Sequence, residues 1–327
     1  MTQSIVGIDV SKHTLDIVLL YEQRSKHLKV ANTPSGFQTL QTWLSKYDCQ
    51  SVHACMEATG QYGFAAAEFL YSHGYQVSVI NPARIKAYGV SRLKRNKTDK
   101  ADAKLIAEFC QKEKPAPWCP PRPVFSALKA LVHQLNALMA MKQQERNRQE
   151  FKSSAPLVDA ILHEHIDFLD TKIKELRKAI YQLIRQDPQL KHQMALLVSI
   201  PGIGDITAIR LLAEIRDFRD FDNARQLTAY AGLNPSQFQS GTSVHRKSKL
   251  SKTGSSTLRY TLYFPAIVAM THNPVVHDLR QRLLDRGLCK MAVVGAAMHK
   301  LLVLAYGVIK SDMPFDPNFA QNSASCS

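Results

Sequence analysis

Ile5-Val-Gly-Ile-Asp-Val10, followed after Ser11-Lys-His-Thr14 by Leu15-Asp-Ile-Val-Leu-Leu-Tyr21, is the stretch on which the fold turns. Both segments are rich in β-branched residues, and His27-Leu-Lys-Val-Ala-Asn-Thr33 follows as a third. Such runs, broken by short polar turns, predict three adjacent antiparallel strands. Residues 34–47, PSGFQTLQTWLSKY, then place Phe37, Leu40, Trp43 and Leu44 on one helical face. SVHACME (51–57) reads as a strand, GFAAAEFLYSHG (63–74) as a helix closed by Gly74, and QVSVINP (76–82) as a strand stopped by Pro82. A meander passing into strand–helix alternation predicts a mixed α/β sheet.

Residues 115–123, PAPWCPPRP, cannot be crossed intact by a helix or a strand, so a domain boundary is expected there. Beyond it, 125–151 reads as one long helix. A second carries Leu162, Ile166, Leu169, Ile173, Leu176, Ile180 and Leu183. Steps alternating four and three make the a/d seam of a coiled coil, which either closes an intrachain hairpin or joins two chains. LVSIPGIGDITAIRLLAEI (197–215) has the form helix, tight glycine turn, helix, and 265–309 is again apolar and helical. Between them lies a polar, basic, Gly/Ser-rich stretch. The tail from Asp312 has the composition of a disordered segment.

The chain has 327 residues, 45% of them hydrophobic, and a formal net charge of +15. That length accommodates more than one core. The charge excess points to a polyanionic partner, nucleic acid above all. Cys49, Cys55, Cys110, Cys119, Cys289 and Cys326 include no C-x-x-C pair, which argues against a zinc ribbon or a disulfide framework. The N-terminus lacks a secretory pattern, and no apolar run reaches the roughly 18 residues of a membrane span. A reduced, intracellular, cytoplasmic protein is expected.

Four carboxylates stand out. Asp9 lies within an apolar strand, where a charge is costly without a partner, and Glu57 ends another strand. Asp99 and Asp102, in Arg95-Asn-Lys-Thr-Asp-Lys-Ala-Asp-Ala-Lys104, are about 4.5 Å apart along a helix axis and share a face. The four suit one or two Mg²⁺ ions, with Mn²⁺ as the alternative. Taken alone, the Asp99/Asp102 pair equally fits a capping box with Asp99 as N-cap.

GIDVSKHTLD, the MEATG strand end and NKTDKADA together resemble the N-terminal DEDD domain of bacterial IS110 insertion-sequence transposases, also called bridge recombinases. That domain is similar to RuvC and other ribonuclease H-like nucleases. The resemblance continues through SIPGIG, AYAGLNP and QSGTSVHRKSKLSKTG, covering nearly all of the chain but its tail. It implies a RuvC-like DEDD domain over 1–118, a coiled-coil scaffold over 119–190, a C-terminal serine transposase domain over 191–311 and a disordered tail over 312–327. It carries the metal-binding tetrad onto Asp9, Glu57, Asp99 and Asp102.

Among Ser240, Thr242, Ser243, Ser248 and Ser251, residue chemistry alone selects no nucleophile. The resemblance selects Ser240, which opens the S-G-x-S motif, with Ser243 as second choice. It further implies a covalent phosphoserine link to DNA, a structured noncoding guide RNA, and a composite site in a dimer of dimers acting on donor and target DNA. His245, Arg246, Lys247, Lys249, Lys252 and Arg259 flank the serine and could hold a phosphate backbone, as could Arg95, Lys97 and Lys100 beside the aspartate pair. Gly202 and Gly204 of IPGIG would let backbone N–H groups approach a phosphate. The expected function is RNA-guided DNA recombination or transposition. Its rivals are a water-using nuclease or junction resolvase, an actin-like kinase, and a non-enzymatic nucleic-acid-binding protein.

Overall fold

The computed structural model describes residues 4–318 except 23, 48–50, 59–61, 93–97, 151–154, 237–238, 241–243 and 246–248. For residues 236, 239, 240, 244, 245 and 249 it describes the backbone alone. The chain divides into two compact units, Met1–Pro120 and Pro121–Ser327.

In the first unit, β1 (Ser4–Val10), β2 (Thr14–Tyr21) and β3 (Arg24–Ala31) form the expected antiparallel meander. α1 (Pro34–Leu44) follows, then β4 (Val52–Glu57), α2 (Phe64–Ser72), β5 (Gln76–Ile80), α3 (Pro82–Ser91) and α4 (Asp99–Glu113). β4 lies parallel to β1 and to β5, giving one mixed sheet of order β3-β2-β1-β4-β5. Strand alternation sorts β1 between two cores. Val6, Ile8 and Val10 pack with Phe37 and Leu40 of α1 and Leu70 of α2. Ile5 lies on the other face with Cys55, Tyr88 of α3 and Ile106 and Phe109 of α4. Helices on both faces of a mixed sheet agree with the ribonuclease H-like expectation.

Two local signals were richer than the sequence reading allowed. Pro82 both stops β5 and opens α3, whose N-cap Asn81 accepts a hydrogen bond from Ala83 N at 2.9 Å. The proline-rich break also covers a sheet edge: Trp118 N donates to Val77 O of β5, and Ser78 Oγ donates to Ala116 O at 2.8 Å.

The second unit is mainly helical. α5 (Pro123–Gln149) and α6 (Pro156–Gln186) pack antiparallel, as the cross-links Lys142–Asp170, Glu145–His165 and Gln149–His163 require. Leu169, Ile173 and Ile180 of the heptad seam are buried, so this chain displays the intrachain hairpin of the two arrangements open at the sequence level. α7 (Pro188–Val198), α8 (Asp205–Ile215) and α9 (Ala224–Tyr230) come next. The two-residue strands β6 (Pro235–Ser236), β7 (Gln239–Ser240), β8 (Val244–His245) and β9 (Lys249–Leu250) follow. α10 (Ser256–His272), α11 (Pro274–Asp285) and α12 (Lys290–Ser311) complete the unit.

Contrary to the expectation that no apolar run is long enough, α5 and α12 would suffice by length and composition to cross a membrane. α12 instead supplies Val294, Ala297, Leu301, Leu302 and Ala305 to the core of this unit. Of the tail expected from Asp312, Phe315 packs on that core and its N–H donates to Ser199 Oγ at 2.8 Å. Residues 319–327 lie outside the described residues.

Candidate active site

The site in the first unit is built by Gly7. A Cβ at this position would stand 2.2 Å from Ala103 O and 2.4 Å from Ala107 N, so only glycine lets α4 settle on β1. Asp9 is two residues further along the same face. The close approach therefore delivers the first turn of α4, with Asp99 and Asp102, beside Asp9. The parallel register of β1 and β4 pairs Ile8 with Met56, so Glu57 follows at the level of Asp9 and on the face shared with Cys55.

Thr98, not Asp99, caps α4. Its β-region backbone and its Oγ1, accepting from Ala101 N at 3.2 Å, make it the N-cap, with Asp99 and Asp102 both within the first turn. The capping-box reading with Asp99 as N-cap is thereby corrected, and neither aspartate is needed for the cap. Both still benefit from the positive end of the helix dipole.

The electrostatics of Asp9 report the convergence. Its carboxyl is pushed up to about 6, first by burial and then by the negative charges of Asp102, Asp99 and Asp16, against a lowering hydrogen bond from Val10 N–H. Asp16, opposite Asp9 in the β1–β2 register, is a further acid that the sequence reading passed over. Its signal was available, since it is a charge inside an apolar strand like Asp9 itself. Asp16 is buried and binds His27 Nε2 at 3.0 Å and Lys29 Nζ at 2.9 Å. Among the described residues no three His, Cys, Asp or Glu side chains already form a closed metal-ligand group. The donor set is nonetheless all carboxylate oxygen, which suits a hard divalent cation such as Mg²⁺, and its mutual repulsion is what such a cation would relieve.

In the second unit, Ser240 is the last residue of β7. β7 and β8 pair Ser240 with Val244, while β6 and β9 pair Pro235 with Leu250 and Ser236 with Lys249 at the base. Leu250 seats the base on α12, where a Cβ at Gly295 would stand 2.9 Å from Leu250 Cδ1. The AYAGLN (229–234) and SKTGS (251–255) segments are joined by backbone hydrogen bonds from Ser251 N to Asn234 O, Lys252 N to Gly232 O and Ser255 N to Tyr230 O. Arg259 belongs to this frame: its Nη1 donates to Ala231 O, Gly254 O and Ser255 O, at 3.0–3.3 Å. That structural use accounts for Nη1 alone.

The remaining expected nucleic-acid contacts divide. Lys100 is exposed on α4, and Lys252 is exposed in the turn after β9 with φ of 54°. Gly202, with φ of 105°, packs its bare Cα on α10, where a Cβ would stand 2.7 Å from Ala269 Cβ. Gly204, by contrast, is the N-cap of α8 and faces open space. For Lys249 and His245 only the backbone is described, and Arg95, Lys97, Ser243, Arg246 and Lys247 lie outside the described residues.

Comparison with known proteins bears on both units. Residues 6–150 match a transposase family profile of the DEDD IS110 type, and residues 194–281 match one described as transposase IS116/IS110/IS902 family. The pilin gene-inverting protein of Moraxella bovis is 36% identical over 319 residues, covering 97% of this chain and 98% of that protein. The transposase for insertion sequence element IS1328 of Yersinia enterocolitica is 26% identical over 302 residues, covering 82% of this chain and 84% of that one. Among solved structures, T. thermophilus RuvC in complex with Holliday junction substrate matches at 12% identity with a TM-score of 0.28, covering 36% of this chain and 100% of RuvC.

Proposed function

Because this chain belongs to the IS116/IS110/IS902 family of transposases and is a DNA recombinase/transposase, we propose that it cuts and rejoins DNA strands through a covalent phosphoserine intermediate at Ser240, assisted by a divalent ion held by Asp9, Glu57, Asp99 and Asp102. The observation that carries this reading is the electrostatic convergence of Asp102 and Asp99 on Asp9, a strand and a helix brought together through Gly7.

In this mechanism Ser240 Oγ attacks the scissile phosphorus and loses its proton to a base, while the 3′-oxygen leaves and takes up a proton as a free hydroxyl. One phosphodiester bond is exchanged for another, so rejoining by the reverse attack needs no nucleotide cofactor. When bound, Mg²⁺ would act as a Lewis acid at the phosphoryl oxygens. Asp9, Glu57, Asp99 and Asp102 would hold that charge in place. Ser240 ends β7, and the exposed Lys100 and Lys252 would attract the phosphate backbone. By family resemblance, a structured noncoding RNA pairs with donor and target DNA, and the working assembly is a dimer of dimers whose site combines the tetrad of one subunit with the serine of another.

The test mixes protein, labelled DNA, guide RNA and Mg²⁺ and resolves the products on denaturing gels. A DNA–protein adduct absent from Ser240→Ala and from Asp102→Asn is expected. Strand exchange by the Ser240→Ala protein would end the serine mechanism, and cleaved DNA without an adduct would point to hydrolysis by water.

A further inference from the structure

Lys29 is the feature beside the tetrad that none of the readings above uses. It faces Asp16 across the β2–β3 pair, and Asp16 faces Asp9 across β1–β2, so the three lie in one row on the sheet. Lys29 Nζ is 2.9 Å from Asp16 Oδ2 and 3.6 Å from Asp99 Oδ2. The two contacts are unequal. The Asp16 side chain is 6% exposed and has its other oxygen on His27 Nε2, whereas the Asp99 side chain is 68% exposed. Asp16 is therefore the anchor, and Asp99 is the group on which the anchored charge acts.

We propose that Lys29 is a positioning residue of the metal site: fixed by Asp16, it holds a positive charge against Asp99 and thereby sets how tightly the tetrad takes a divalent cation. This rests on the reading that the tetrad binds such an ion. Two effects of Lys29 oppose each other. Pairing with Asp99 would preorganise a ligand, but an exposed ion pair at this separation contributes little order. Repulsion between the ammonium and an incoming doubly charged ion acts over the same few ångströms and is larger. The second effect dominates, so Lys29 weakens metal binding. It also offsets the mutual repulsion of the carboxylate cluster, as a cation that a bound metal would displace from Asp99.

The experiment measures Mn²⁺ binding to the full chain directly, by calorimetry or by loss of the free-ion electron paramagnetic resonance signal, without reference to activity. Lys29→Gln keeps a hydrogen-bond donor for Asp16 and removes the charge; it is expected to bind Mn²⁺ about three- to tenfold more tightly. Lys29→Arg restores the charge and is expected to stay within about twofold of the wild-type affinity. Asp102→Asn separates the two claims. If Asp102→Asn binds Mn²⁺ as the wild type does, the tetrad reading fails. If Asp102→Asn loses binding while Lys29→Gln matches or falls below the wild type, the role given to Lys29 is overturned.

Discussion

Gly7 of β1 meets Ala103 of α4 backbone to backbone, at a separation where a Cβ would stand 2.2 Å from the carbonyl oxygen. A strand–helix contact this close leaves no room for any side chain, and it fixes the height at which α4 crosses the sheet. The placement of Asp99 and Asp102 relative to Asp9 is set by that contact.

Gly7→Ala should therefore damage the site through the fold. The neighbours are main-chain atoms of a packed helix, so the added methyl cannot be relieved by a rotamer change. A loss of about 2–3 kcal/mol in the first unit is expected by chemical denaturation, with weakened Mn²⁺ binding in whatever fraction remains folded.

Asp9 gives a pH dependence with a definite sign. Its folded-state pKa, about 6, lies above the ordinary aspartate value, so the folded metal-free chain binds the extra proton. The metal-free protein should lose stability as pH rises from about 4 through about 6, the reverse of an ion-paired carboxylate. Asp9→Asn should raise the Tm in EDTA at pH 7.5 and leave it nearly unchanged at pH 4. The Tm increase given by Mg²⁺ should be large at pH 8 and shrink toward pH 5 in the wild type, and be much reduced in Asp9→Asn at either pH. Calorimetric scans over this range would check all three.

The sheet was legible in the sequence because its strands are short β-branched apolar runs between polar turns, a signal that holds for strands such as β1 and β2 that are buried on both faces. Asp9 was legible for the related reason that a charge breaks an apolar run. Thr98, Asp16 and Lys29 were not singled out, since what each does depends on which strand or helix turn lies beside it. Thr98 was hidden by Asp99, a residue that makes an equally good cap by type. Arg259 misled in the opposite direction. In sequence it belongs to a basic cluster, yet its Nη1 lies against three backbone carbonyls, and only the folded turn reveals them.

Thr98→Ala tests the corrected cap. Removing the hydroxyl leaves Ala101 N–H without its partner, at a cost of about 1 kcal/mol. The first turn of α4 should fray, and that turn carries both aspartates. Hydrogen exchange should accelerate over 99–103 but not over 106–113, and Mn²⁺ affinity should fall several-fold. Thr98→Ser, which keeps the cap, should behave as the wild type does.

Leu250 offers the matching test in the second unit. Its side chain lies against Gly295 of α12 while its backbone pairs with Pro235, so it ties the base of the Ser240 hairpin to the helical core. Leu250→Ala removes part of an apolar contact from a half-buried position and should cost only about 1–2 kcal/mol of stability. If Ser240 is the nucleophile, as proposed, the consequence for adduct formation should be larger than that figure implies, because an attacking oxygen must be held within a fraction of an ångström of its line of attack. A tenfold or greater fall in the rate of DNA–protein adduct formation is expected, with Mn²⁺ binding unchanged. An adduct rate that drops no further than the folded fraction would mean that the hairpin does not depend on this seat to aim Ser240.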